Sequence, residues 1–241
     1  MALTRFAVKK ESSHDALEKS SKGVVTNSRK KEPQRDITIT ELPLQVINSY
    51  RTNLCVVIKL FASKGGHLLL SDEAHEHSFQ TIEVYENEIN VKSETRNIKV
   101  FDITEIKKSE FILSFADETL IKRMDSKGSF RKFLDFSPLL PRALHITTSG
   151  HLLVGVREKG EAFLVKSKSC RQLIVMDLKG KTIHTYQFGK KKRKRLFSVF
   201  FPIATSSKDD IFLIDTETSE GHGLIAALSY PKHKMEVQWK Q

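Results

Sequence analysis

The chain has 241 residues, 39% of them hydrophobic, and carries 40 Lys/Arg against 29 Asp/Glu for a formal net charge of +11. That length bounds one domain of about 200 residues plus a tail. It holds no apolar run near the ~18 residues of a membrane span and no apolar secretory core in "MALTRFAVKKESS", so the reading is a soluble cytoplasmic protein.

The excess charge is local. Residues 1–35 hold nine Lys/Arg and four Asp/Glu, and the run "KKKRKR" from Lys190 to Arg195 adds six cations, so these two segments account for the whole excess. A block of charge attracts a partner where an even spread only aids solubility. Residues 1–35 are rich in Ser, Lys, Glu and Asn and are predicted to be a disordered basic tail. The two cysteines, Cys55 and Cys170, sit among apolar residues and read as free buried thiols, too few for a four-thiolate zinc module.

From Asp36 onward helix signals are nearly absent and short strand signals recur. The first unit runs "VVIKLFASKGGHLLLSD", "TIEVYEN", "EINVKSE". The second runs "NIKVFDITEIKKSEFILSFAD", "TLIKRMDSKGSFRKFL". The third runs "ALHITTSGHLLVGVREKG", "CRQLIVMDLKGKTIHTYQF". The fourth runs "LFSVFFPIATSSKDDIFLID", "GLIAALSYPKHKMEVQW". Each holds four strand-length runs, a to d, joined by turns rich in Gly, Ser, Asp and Asn, which tolerate φ > 0 or start a turn. The b runs, such as Leu68-Leu69-Leu70 and Leu152-Leu153-Val154, are continuously apolar, as strands buried on both faces are.

One such sheet cannot bury both faces alone, but sheets stacked around an axis can, so the repeat predicts an all-β propeller of four-stranded antiparallel blades. The blades are placed near 53–95, 96–137, 138–189 and 195–241. "LQVINSY" from Leu44 reads as the outer strand of an earlier blade, which makes residues 36–241 a partial, about four-bladed propeller. Two open end faces are expected. One is formed by the blade containing Val56, Ile58 and Leu60, the other by the blade containing Phe200, Ile203 and Leu213, and an open arc that self-associates or is unstable alone is expected in turn.

In an up-and-down blade the b–c loops and d–a connections leave on one side. The b–c insertion "REKGEAFLVKSKS" and the d–a connection "GKKKRKR" should therefore share a basic binding face carrying Arg157, Lys159, Lys166, Lys168, Lys190, Lys191, Lys192, Arg193, Lys194 and Arg195. "KKKRKR" also resembles a nuclear-import signal, which makes the nucleus the alternative location. No aromatic array interleaves these cations, so contact with RNA would rest on phosphates and shape.

"PRALHITTSGHLLVGVREKG", with "SCRQLIVMDLKGKTIHTYQF" and "DDIFLIDTETSEGHGLIAALS", resembles the C-terminal NHL-type β-propeller of tripartite-motif proteins, closest to the divergent sets of bivalve molluscs. The likeness covers roughly residues 43–241. It implies a partner-recruiting propeller, bound to protein or, in some members, to structured RNA. Such proteins also carry a RING finger, which confers ubiquitin-ligase activity, B-boxes and a coiled coil. Residues 1–35 hold no cysteine and only His14, so ligase activity is not carried over and no catalytic residue is expected. The family propeller has six blades, so a fragment of a longer ligase is an alternative reading.

Other polar clusters have plainer readings. His75 and His77 lie two apart in a b–c loop and read as solvated, with no metal or other cofactor expected. His145 lies mid-strand and reads as a packed core histidine. Asp72, Asp117 and Asp215 each end a b strand, where calcium-dependent hydrolase propellers hold acids. The third blade offers Arg157-Glu158 instead, so hydrogen bonds to nearby loop amides are expected of them.

Overall fold

The computed structural model describes residues 48–73, 77–164, 169–187, 196–216, 223–229 and 234–240. Every regular element among them is a strand. Blade 1 holds β1 (Val57–Ala62), β2 (His67–Asp72), β3 (Phe79–Val84) and β4 (Ile89–Thr95). Blade 2 holds β5 (Val100–Lys107), β6 (Glu110–Phe115), β7 (Leu120–Met124) and β8 (Phe130–Asp135). Blade 3 holds β9 (Leu140–Ile146), β10 (Leu152–Arg157), β11 (Gln172–Met176) and β12 (Thr182–Tyr186). Blade 4 holds β13 (Phe200–Thr205), β14 (Ile211–Thr216), β15 (Gly223–Ser229) and β16 (Lys234–Lys240). Each sheet pairs its strands antiparallel in chain order, giving the four-bladed propeller that the repeat predicts.

The turns show why these sequences form hairpins. In "DSKGS" and "DLKGK" the Asp125 and Asp177 carboxylates accept the amides two and four residues on, at 2.8–3.0 Å. Gly128 and Gly180 supply the φ of +80° and +88° that closes each turn. The inner a–b turns of blades 1, 3 and 4 use a hydroxyl instead. Ser63, Thr147 and Ser206 each accept the amide four residues on, from His67, His151 and Asp210.

Neighbouring blades interlock through the b strands. Leu69 of β2 packs with Phe111, Leu113 and Phe115 of β6, while Ile112 faces the other way, towards Leu152, Val154 and Val156 of β10. Leu153 faces blade 4, against Ile203, Ile211 and Leu213. Polar ties cross the same seams. Ser71 donates to the Val100 carbonyl (2.8 Å), Thr104 accepts the Ile146 amide (3.1 Å), and His145 Nε2 meets Thr205 Oγ1 (3.0 Å). Asp209, at φ +63°, accepts the Thr148 and Ser149 amides of the blade 3 turn at 2.7 and 3.1 Å.

Several expectations are corrected. Asn48–Tyr50 forms no strand; this segment straps blade 1. The Tyr50 hydroxyl donates to the Tyr85 carbonyl (2.9 Å), and Leu54 packs on Leu68, Leu70 and Ile82. Val56, Ile58 and Leu60 of blade 1 are exposed. In the last blade Ile203 and Leu213 are buried against blade 3, and among the described residues of that blade Ile214 is a large apolar residue left exposed. Ile211 and Leu213 share one side of β14 by its regular alternation and Ile214 takes the other, while a bulge between Phe200 and Ile203 shifts the alternation of β13 by one residue. Cys55 is exposed, because Leu54 takes the inward position of that pair, and Cys170 is half-buried; they form no disulfide with each other. Residues 1–47, including the basic tail and most of "LQVINSY", lie outside the described residues.

Candidate binding face and axial cavity

The tight a–b and c–d turns gather at one end of the axis. The described stretches of the b–c and d–a connections lie at the other, around a cavity of about 560 Å³ lined from all four blades. The inner strands are shaped for this end. In every a–b pair a bulge interrupts the register here: between Val57 and Lys59, between Val100 and Asp102, opposite Gly155 and Val156, and between Phe200 and Ile203. A bulge leaves one residue unpaired and re-aims its neighbours. Ile58, Phe101 and Arg142 take that slot in blades 1 to 3, and all three line the cavity.

The slot after the bulge holds Lys59 in blade 1 and Asp102 in blade 2, and these form an ion pair across the seam. Asp102 also accepts the Leu144 amide of blade 3 (2.8 Å) and the Ile103 amide (2.9 Å), so one carboxylate ties three consecutive inner strands. Burial pushes its pKa up, against the pull of the Lys59 ammonium and the two amides.

Arg142 differs. Its side chain belongs to a residue only 9% exposed, and its guanidinium lies over the Phe101 ring at 4.6 Å from the centroid. Its Nε is buried with no hydrogen-bond partner, and it forms no ion pair with any described carboxylate. Burial, reinforced by the nearby Arg157 charge, lowers its pKa to about 10. Arg157 donates to the Glu158 and Gly160 carbonyls at 2.9 and 2.8 Å, holding the start of the b–c loop. Arg171, fully buried, pairs with Glu158 (3.1 Å) and donates to the Ser198 carbonyl, joining blade 3 to the chain that leads into blade 4.

The acids at the ends of the b strands serve local structure in two cases, as expected. Asp72 accepts the Val56 amide (2.9 Å), and Asp215 accepts the Ser198 and Val199 amides (2.7 Å each to Oδ1). Asp117 instead pairs with Lys99 at the surface (3.3 Å). His145 is half-buried rather than part of the core: it lies in β9 with its Nε2 against Thr205 Oγ1 of blade 4. His77 lines the cavity with its Nδ1 buried and unpartnered. His75 lies outside the described residues, and among those described no three His, Cys, Asp or Glu residues come together as a metal site would need.

Two of the ten predicted basic-face residues are described. Lys159 is exposed in the b–c loop. Arg157 is buried, a correction: as the last residue of β10 it turns towards the axis and spends its donors on loop carbonyls. Lys166, Lys168, Lys190, Lys191, Lys192, Arg193, Lys194 and Arg195 lie outside the described residues. The flanks of the last six are defined: the Leu196 amide donates to the Gln187 carbonyl at 3.0 Å, so that connection leaves and returns at one point. Sequence reasoning missed Arg142, Asp102 and Lys59. The available signal was a charged residue inside an otherwise apolar inner strand, as in "VIKLF", "VFDIT" and "PRALH". Among the described residues no helix is long and apolar enough to cross a membrane.

No protein-family profile matches the chain, and no curated protein matches its sequence. Solved structures do. The PQQ-bound aldose sugar dehydrogenase of Streptomyces coelicolor is 14% identical with a TM-score of 0.55, over 79% of this chain and 66% of that one. The Cps50 (Swd1) β-propeller domain of Myceliophteria thermophila is 11% identical with a TM-score of 0.53, over 81% and 61%. A catalytically inactive virginiamycin B lyase from Staphylococcus aureus, solved with quinupristin, is 13% identical with a TM-score of 0.51, over 77% and 55%. The chain thus spans 55% to 66% of the length of these three structures, and at such identities the likeness shows the fold alone: a β-propeller.

Proposed function

We propose that this chain is a non-catalytic binding module that recruits a protein partner on the loop-bearing end of its axis, as the propellers of tripartite-motif proteins do. The observation that carries this reading is the character of that end. Phe163 and Leu164 stand 40% and 51% exposed in the b–c loop, beside the exposed Lys159 and the mouth of the cavity. Exposed apolar side chains ringed by charge are what a protein interface uses. Blade-to-blade ties hold the platform rigid beneath them. A peptide-display selection on the full chain tests this. Peptides should be selected, should bind with weak salt dependence, and should be lost when Phe163 and Leu164 are both replaced by Ser. Selected peptides that bind the double variant equally well would move the interface elsewhere.

RNA is the second reading, supported by the six cations between Gln187 and Leu196. Phosphate contacts would make affinity fall steeply with salt, through counterion release. Ser at all six positions, Lys190 to Arg195, should then abolish RNA binding and nuclear accumulation and leave the melting temperature almost unchanged. The exposed Val56, Ile58 and Leu60 at one end and Ile214 at the other also support self-association. Sedimentation across a dilution series reads it directly, and a dilution-insensitive monomer would refute it.

A further inference from the structure

We propose that the axial cavity is a carboxylate-binding site in which Arg142 receives a single carboxylate flanked by apolar atoms. The site rests on Arg142 and the cavity behind the outer loops, and shares only Phe163 with the protein interface proposed above.

The argument starts from the bulge slot of the inner strands. Blades 1 and 2 fill it with Ile58 and Phe101, as a slot facing a mainly apolar cavity should be filled. Blade 3 fills the same slot with a guanidinium. A charge taken out of water without a counterion is costly, so the fold alone gives no reason to keep it there. The neighbouring slot answers its own charges, since Lys59 and Asp102 pair. Arg142 has no such contact partner: its Nε bonds to nothing, Asp117 attracts it without forming an ion pair, and Arg157 beside it adds charge of the same sign. A second buried and unpartnered polar atom, His77 Nδ1, reaches the same cavity from blade 1 and can serve as a further donor.

The shape of the cavity narrows the ligand. About 560 Å³ lies within the range of small-molecule and side-chain sites. The planar fork of an arginine matches a carboxylate bidentately, and stacking on Phe101 fixes its plane. The remaining walls include Val100, Ala162, Phe163 and Val199, which suit an apolar group attached to that carboxylate. A phosphodiester chain fits poorly, because the acids of the lining, Asp72, Glu73, Asp102 and Asp117, balance its cations, Lys59, Lys99, Arg142 and Arg157, and leave no net positive charge for repeated phosphates. The carboxylate can come from a free organic acid or from a Glu or Asp side chain beside an apolar residue of a peptide.

The test uses the full chain and four probes: 3-phenylpropanoate and its amide, and the blocked dipeptides acetyl-Phe-Glu-amide and acetyl-Phe-Gln-amide. Calorimetric titration should show binding of one or both carboxylates, with the matching amide at least about tenfold weaker, the difference that one charge-assisted pair supplies. The tighter of the two carboxylates identifies the source. Arg142→Met should lose this binding while melting at or above the wild-type temperature, because an unanswered buried charge is removed. If that variant does not fold, Arg142→Lys keeps a charge but loses the fork, and should weaken the carboxylates alone. Equal affinity for acid and amide, full binding by either variant, or no binding of either carboxylate at millimolar concentration would overturn the proposal. Displacement of the carboxylate by a short RNA hairpin, dependent on Arg142, would also overturn it and assign the cavity to phosphate.

Discussion

Replacing Asp102 with Ala should destabilise the propeller by about 2–4 kcal/mol. The carboxylate is 5% exposed and answers three groups: the Lys59 ammonium, the Leu144 amide and the Ile103 amide. Orphaning the buried Leu144 amide costs ~1–3 kcal/mol. The Ile103 bond joins adjacent residues and adds little. Breaking a buried ion pair costs ~3–5 kcal/mol when the remaining charge is trapped. Lys59 is not fully trapped, since its side chain is 20% exposed and faces the cavity. Relief of the carboxylate's own desolvation offsets part of the loss. Urea unfolding of Asp102→Ala, Lys59→Met and the double variant gives a mutant cycle. The double variant should be more stable than the sum of the single effects predicts, by about 1–3 kcal/mol, because the unanswered charge is gone. A single-variant loss under about 0.5 kcal/mol, or additive effects, would refute the tie between blades.

Gly180→Ala should cost about 1–2 kcal/mol in the same assay, since φ is +88° and an added Cβ would sit 2.6 Å from Leu134 Cδ2, whereas Gly150→Ala, at φ +82° with open space, should cost only about 1 kcal/mol. Asp209→Gly keeps the left-handed turn but releases the Thr148 and Ser149 amides; a loss of about 1–2 kcal/mol is expected, and fast amide exchange at those two residues should accompany it. Burial holds the His145 pKa below its ordinary 6.5, opposed by Asp102 and Asp209. Its folded form therefore resists a proton that the unfolded chain accepts, so its contribution is complete above pH ~6.5 and is lost as pH falls through the folded value. Urea midpoints at mildly acidic and neutral pH should differ more for the wild type than for His145→Gln.

Blade number and boundaries were legible because a strand buried on both faces must be continuously apolar. The runs Leu68–Leu70, Phe111–Leu113, Leu152–Val154 and Ile211–Leu213 mark the second strand of each blade. The hairpins were legible in "DSKG" and "DLKG", where Asp and Gly have distinct duties. The facing of the inner strands was not legible. A single unpaired residue reverses the alternation, and its only mark in "FFPIAT" is Pro202, a residue that strands tolerate mainly at edges and bulges and that lies between Phe200 and Ile203. The cavity was hidden for the same reason. Arg142 reads as one basic residue in a strand until the register places it in the slot that Ile58 and Phe101 fill elsewhere.

The seams between blades run in series. β5 packs on β1, β9 on β5 and β13 on β9, while no comparable packing joins β13 to β1 among the described residues. Blades 2 and 3 thus have two partners each, and blades 1 and 4 have one. Losing an outer blade breaks a single seam, so opening should begin at the ends and stop short of the middle. Hydrogen exchange should follow this order, slowest at Ile112, Leu113, Leu153 and Val154 and faster at the corresponding amides of β2 and β14. Any ligand that touches all four inner strands at once would close that series into a loop, and its binding should slow exchange most in the two blades that it does not share with Asp102 and Leu144.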